Sequence, residues 1–188
     1  MKEICKFNEF KPYIDVTNKI ISNDTIIDKD VSESSFKQVD FLNCTFNLTS
    51  FPNSEWKEVI FEDCVLQNLN FRKSDLGDCT FKNCKLIDVY FGSSSLYGFN
   101  FINCKLISVS FNAGSLLDFE FKDSQLKQIS FAGSYLEDIK AKNSTLEEIR
   151  ISGVKFYKKT LNDELATELI DIKNYDSFLK EISEFRND

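Results

Sequence analysis

The sequence predicts an all-β solenoid, a rod wound from short extended sides with its core running along the axis. Two observations predict it. An apolar side chain recurs at every fifth residue from Phe36 to Phe156, twenty-five times, with Ala141 the one weak member. A helix repeats every ~3.6 residues and a strand every ~2, so a strict five held this long belongs to neither. Coils built from five-residue sides do produce it.

The second observation is a companion track two residues earlier. Before the leucines it is small: Cys64, Ser74, Cys84, Ser94, Cys104, Gly114, Ser124, Ser134 and Ser144. Before most phenylalanines it is larger: Leu69, Val89, Phe99, Val109, Phe119 and Ile129, with Cys79 the exception. Alternating large and small residues fill a narrow interior at native packing density. A longer beat of twenty residues joins Cys44, Cys64, Cys84 and Cys104, and also Asn43, Asp63, Asn83, Asn103, Asp123 and Asn143. Twenty residues per coil means four sides of five.

Taken in order, residues 1–25 are read as an N-terminal cap segment. Val16, Ile21, Ile26 and Val31 keep the phase upstream of Phe36, and the β-helix is taken as 26–157, about six coils. Residues 158–188 lose the five-residue beat. There Leu161, Leu165, Leu169 and Ile172 share one helical face, and Phe178, Leu179, Ile182 and Phe185 share another. Asn174–Asp176 is the break and Asp176 the N-cap, so two short amphipathic helices are expected as a C-terminal cap.

Segment 36–156 resembles the pentapeptide-repeat proteins, whose repeat centres on Leu or Phe with a small residue two places before it. Cys84-Lys85-Leu86-Ile87-Asp88 and Ser134-Tyr135-Leu136-Glu137-Asp138 match that pattern directly. The resemblance implies a right-handed, four-sided β-helix with Phe and Leu in interior columns. The Asp or Asn usual just before the central residue is mostly absent here, and the polar ladder sits before the small residue instead. In fluoroquinolone-resistance members a C-terminal helix also serves dimerisation. This chain matches them at the Ser152-Gly153-Val154-Lys155-Phe156 exit into a helix, so its C-terminal helices are expected either to cap one rod or to join two copies.

Composition argues against catalysis. The chain contains no His, which removes the commonest general base, the Ser-His and Cys-His pairs and the ordinary zinc sites. Its six glycines stand singly rather than in a phosphate loop. Carboxylate pairs such as Glu147-Glu148 and Glu62-Asp63 have no pocket implied around them. A column of cysteines does not bring ligands to one point, so neither a metal nor a cofactor is expected. Five of the six cysteines occupy inward positions and are read as reduced, structural thiols. No apolar run reaches membrane-span length and no hydrophobic stretch follows a basic start, so a cytoplasmic location without membrane attachment is expected.

Net charge is −7, but only −2 lies on residues 36–156, with −2 on 1–35 and −3 on 157–188. The side centred on Trp56, Leu76, Leu96, Leu116 and Leu136 carries Glu55, Glu58, Asp75, Asp78, Asp118, Glu137 and Asp138 against Lys57 alone, with Tyr97 and Tyr135 among them. These nine acidic and tyrosine residues are the candidate partner-binding set. The side centred on Phe51, Phe71, Phe91, Phe111 and Phe131 is nearly uncharged, and the side with Leu86, Leu106 and Leu126 leans basic through Lys85, Lys105 and Lys127.

A solvated surface is the plain reading of an acidic stripe. The sharper one is that a regular acidic rod imitates the charge pattern of nucleic acid and occupies a basic groove. Direct nucleic-acid binding has the wrong sign. Three functions follow. The resemblance implies a bacterial protective factor that shields a type II topoisomerase as a DNA mimic. The alternatives are an immunity protein that captures a cognate toxin such as a nuclease, and a passive assembly scaffold.

Overall fold

The computed structural model describes residues 2–7 and 10–156. The expected C-terminal helical cap lies outside the described residues. The chain forms a parallel β-solenoid of about seven turns, ~34 Å tall at the ~4.8 Å spacing of paired strands. Each residue pairs with the one twenty positions on: Leu66 with Leu86 and Leu86 with Leu106, for example. Four faces result. Face 1 holds Val16, Phe36, Trp56, Leu76, Leu96, Leu116 and Leu136; face 2 holds Ile21 through Ala141; face 3 holds Ile26 through Leu146; face 4 holds Val31 through Ile151.

Faces 1 and 2 form one 13-stranded sheet and face 3 a second sheet of seven strands. The first two merge because Ser95–Ile102, Ser115–Lys122 and Tyr135–Lys142 run extended around the shared corner. Face 4 pairs only through single bridges, from Asp30–Ser50 to Ser130–Arg150.

Turning every fifth residue needs a left-handed backbone at each corner. The residue two places after each inward one supplies it, as in Asn43 (φ 52), Asp63 (φ 56), Asn83 (φ 54) and Asn103 (φ 52). Asn and Asp accept this conformation more readily than other residues with a Cβ. Their N–H groups still point along the axis: Asn43 N donates to Glu62 O at 2.9 Å and Asp63 N to Lys82 O at 3.0 Å. The side chains of this ladder bond one another between coils. Asn43 Nδ2 donates to Asn23 Oδ1 at 2.7 Å, Asn83 to Asp63 at 3.0 Å and Asn103 to Asn83 at 2.9 Å.

The interior is a set of ring columns. Phe61, Phe81, Phe101 and Phe121 stack on face 2 at centroid spacings of 4.7, 5.0 and 5.1 Å, nearly parallel. Phe51 to Phe131 do the same on face 4. Phe99 and Phe119 stack between them at 5.1 Å. Trp56 lies 4.1 Å over Phe36, its buried Nε1–H without a partner among the described residues.

The small track has a reason beyond volume. Its hydroxyls and thiols thread the coils together: Ser54 N donates to Ser74 Oγ at 3.0 Å, and Ser74 Oγ donates to Phe51 O at 2.9 Å. Ser94 Oγ repeats this with Phe71 O at 2.8 Å, and Cys44 N reaches Cys64 Sγ at 3.3 Å. Buried backbone groups at these corners need such partners. The six cysteines carry free thiols.

The rod has one more turn than the six expected, because coil pairing starts upstream of residue 26. Asp15–Thr17 pairs with Ser35–Lys37, and Val16 and Ile21 are buried. Phe7 closes this end of the core, its ring 5.8 Å from Phe46 and 6.2 Å from Phe41 and Phe51, with its N–H donating to Asp24 Oδ2 at 2.9 Å. Phe10 packs beside it, 4.2 Å from Phe7 and 5.8 Å from Phe36; the aliphatic phase was readable there, but these two cap aromatics stand outside the five-residue beat.

Candidate protein-binding face

With the interior filled, only the outer walls are free to act. The register brings all nine candidate residues to face 1. Glu55 pairs with Asp75, which pairs with Ser95, and Ser115 pairs with Tyr135, so these share one column. Lys57, Gly77, Tyr97, Leu117 and Glu137 form the next. Glu58, Asp78, Asp118 and Asp138 take the left-handed corner positions, at φ 53–56. Glu137 is half-buried and the other eight are exposed.

The carboxylates fall into two groups. Glu55, Glu58, Asp75 and Asp78 occupy the two adjacent coils of Trp56 and Leu76, which follow those of Val16 and Phe36. Asp118, Glu137 and Asp138 occupy two adjacent coils further on. Between them lies a neutral centre of Ser95, Tyr97, Gly98, Ser115 and Leu117.

The face is less acidic than side-by-side sorting predicts. Lys37, one coil earlier in the same face, reaches Glu55 at 3.3 Å. Lys140 reaches around the corner from face 2 to Asp138 at 3.4 Å and Asp118 at 3.8 Å. A lysine stem is long enough to cross a corner, which a count made side by side misses. Lys155 lies over the Tyr135 ring, 5.2 Å from its centroid, and donates to its hydroxyl at 3.3 Å.

Several basic side chains of faces 2 and 3 are matched across coils, while Lys85 and Lys105 stack on each other in register. Lys82 meets Glu62 at 2.5 Å, Lys127 meets Glu147 at 2.6 Å and Lys142 meets Glu120 at 3.3 Å. Hydrogen bonds donated to Glu62 and Glu147 hold Lys82 and Lys127 above the usual lysine range. Among the described residues, face 1 keeps carboxylates without such ion-pair partners, Asp75 and Asp78 among them.

Two glycines shape face 1. A Cβ on Gly77 would sit 3.9 Å from Tyr97 Cδ1, so the ring lies over this glycine. A Cβ on Gly98 (φ +65) would come within 2.5 Å of Asp78 Oδ1, so the carboxylate lies across it. Gly77, Gly98, Leu117 and Lys155 are absent from the sequence-derived set, although the twenty-residue register places each beside a member of it.

The buried thiols are pushed in opposite directions along their column: contacts with the Cys44 and Cys84 thiols lower Cys64, and contact with the Cys84 thiol lowers Cys104. Cys79 is pushed up to about 12 by burial. Cys44 is raised by its contact with the Cys64 thiol and by burial, and Cys84 by its contacts with Cys104 and Cys64 and by burial. Cys44, Cys79 and Cys84 therefore stay protonated.

A family model described as a pentapeptide repeat region matches residues 54–131 and 74–156. The chain belongs to the pentapeptide-repeat family. Among solved structures it is similar to a trypsin-treated form of QnrB1, a plasmid-mediated fluoroquinolone resistance protein. That match has 18% identity and a TM-score of 0.41, over 91% of this chain and 96% of the other. It is also similar to HetL, a pentapeptide repeat protein involved in heterocyst differentiation regulation from the cyanobacterium Nostoc sp. strain PCC 7120. There the identity is 13% and the TM-score 0.28, over 77% of this chain and 85% of the other. No curated protein matches the chain.

Proposed function

We propose that this chain is a non-catalytic, cytoplasmic protein-binding rod. Its face 1 occupies a basic groove on a nucleic-acid-handling protein, shielding a type II topoisomerase as a DNA mimic. One observation carries the reading: seven carboxylates of four coils share a single face, spaced by the coil repeat and exposed but for the half-buried Glu137. Closely spaced negative charge on a rigid wall suits a groove built for phosphates, and raises the association rate with a basic partner. The partner class comes from the family resemblance.

The test is a supercoiling assay with a purified bacterial type II topoisomerase, with and without a quinolone. The rod is expected to compete with DNA or to protect the enzyme. Capture of a single basic toxin at equal stoichiometry, with no effect on supercoiling, assigns the chain to direct immunity instead. A stable oligomer with neither property assigns it to scaffolding.

A further inference from the structure

The neutral centre of face 1 differs from the rest of the wall, and its chemistry points to what the partner must present. Tyr97 and Tyr135 are each 53% exposed, large for rings on a protein surface. Tyr97 stands between Gly77 and the half-buried Leu117 in its column, with its ring over the glycine. Asp78 lies over Gly98, beside that ring, and Asp75 is the paired neighbour of Ser95 in the same coil step. The Tyr97 ring thus lies over Gly77, whose strand carries Asp75 two residues earlier and whose register partner on the other side is Lys57, while the Asp78 carboxylate lies over the adjoining Gly98.

The same wall already shows which group such a ring accepts. Two coils on, Lys155 places its ammonium over the Tyr135 ring. Among the described residues no cation lies over the Tyr97 ring, and the lysine of its column, Lys57, is paired with Gly77 one coil further off. A cationic side chain over an exposed tyrosine gains modest energy, and more when the contact is desolvated. Aromatic anchors ringed by polar groups are where interface energy concentrates.

We infer that Tyr97, with Asp75 and Asp78, receives an arginine side chain of a basic partner protein. The guanidinium stacks on the ring while its N–H groups meet the carboxylates. Arginine fits better than lysine because its planar group stacks and donates in a fork at the same time. Lys155 plays the same part toward Tyr135 from within the chain and keeps that second ring covered. The inference rests on the acidic-face reading and deepens it: carboxylates of the two groups steer, and the tyrosine anchors.

The experiment uses the full chain and two fluorescein-labelled probes, an oligo-arginine peptide and an oligo-lysine peptide of equal length, followed by anisotropy. Wild type is expected to favour the arginine probe. Tyr97→Ala is expected to weaken it ~5-fold, and Tyr97→Phe to retain affinity. Lys155→Ala is expected to tighten binding ~3-fold by baring the Tyr135 ring, a gain that a merely structural lysine would not give. These side chains are solvent-facing, and unchanged thermal melting checks the fold. Equal affinity for both probes, or wild-type affinity in Tyr97→Ala, overturns the inference. If Tyr97→Ala binds normally while reversal of Asp75, Asp78, Glu137 and Asp138 abolishes binding, the acidic face stands and the tyrosine site falls. If neither change matters, both fall.

Discussion

Replacing Phe101 by Leu probes the ring columns at their centre. Phe101 is fully buried, stacked on Phe81 at 5.0 Å and Phe121 at 5.1 Å, with Phe99 and Phe119 tilted against it at 5.8 Å. Leucine is already the inward residue on facing positions such as Leu96 and Leu106, so the coil accommodates its shape. The two stacked pairs are lost, at ~0.5–1.5 kcal/mol each beyond area burial. The smaller side chain leaves a gap worth roughly 0.5 kcal/mol more. The expected destabilisation is therefore ~2–3 kcal/mol, read as a lowered midpoint in urea with the slope unchanged. Lys122→Ala, exposed on the same face, should stay within ~0.5 kcal/mol of wild type. A double-mutant cycle with Phe121→Leu should return a coupling of ~0.5–1.5 kcal/mol, and one with Phe46→Leu close to none. A loss below ~0.5 kcal/mol, or no coupling between the stacked pair, would refute the column as a source of stability.

Other perturbations have signs fixed by the corners and the thiols. Among the described residues no amide rung joins Asn43 to Asp63 or Asn103 to Asp123, because a carboxylate cannot donate to the amide oxygen below it. Asp63→Asn and Asp123→Asn should each close a rung and raise stability by ~0.5–1.5 kcal/mol, measured by thermal unfolding. Leu48 holds a left-handed corner (φ 51) while 56% exposed. Leu48→Asn should stabilise by ~0.5–1 kcal/mol, and a loss would show that Leu48 packs on something essential. Burial raises Cys79 from the ordinary thiol range to about 12. The unfolded thiol ionises first, so its contribution is intact below pH ~9 and is lost on raising the pH toward ~12, at about 1.4 kcal/mol per unit. Unfolding of wild type and Cys79→Ala at pH 8 and 10 should show a shallower alkaline loss in the variant.

The fold was legible because period five survives every local substitution. Phe, Leu, Trp and Ile all serve as an inward residue, and even Ala141 leaves the phase intact. The site was legible as columns, since adding twenty to Glu55 gives its neighbour Asp75. Contacts that cross a corner were not. Lys140 belongs to face 2 by its number and to Asp138 by its reach. The serines and cysteines of the small track were read as volume, whereas their hydrogen bonds span coils at separations of twenty and twenty-three residues. The bed of Tyr97 depends on side chains absent from Gly77 and Gly98, and a missing Cβ becomes informative only once its neighbour is placed.

The most direct measurement compares the binding of wild type and the Asp75→Lys, Asp78→Lys, Glu137→Lys, Asp138→Lys variant to a purified type II topoisomerase, with duplex DNA as competitor. Wild type should bind and be displaced by DNA. The variant, with the same melting temperature, should lose at least ~100-fold in affinity. Equal affinity in the folded variant would contradict the account, leaving face 1 as solvated surface.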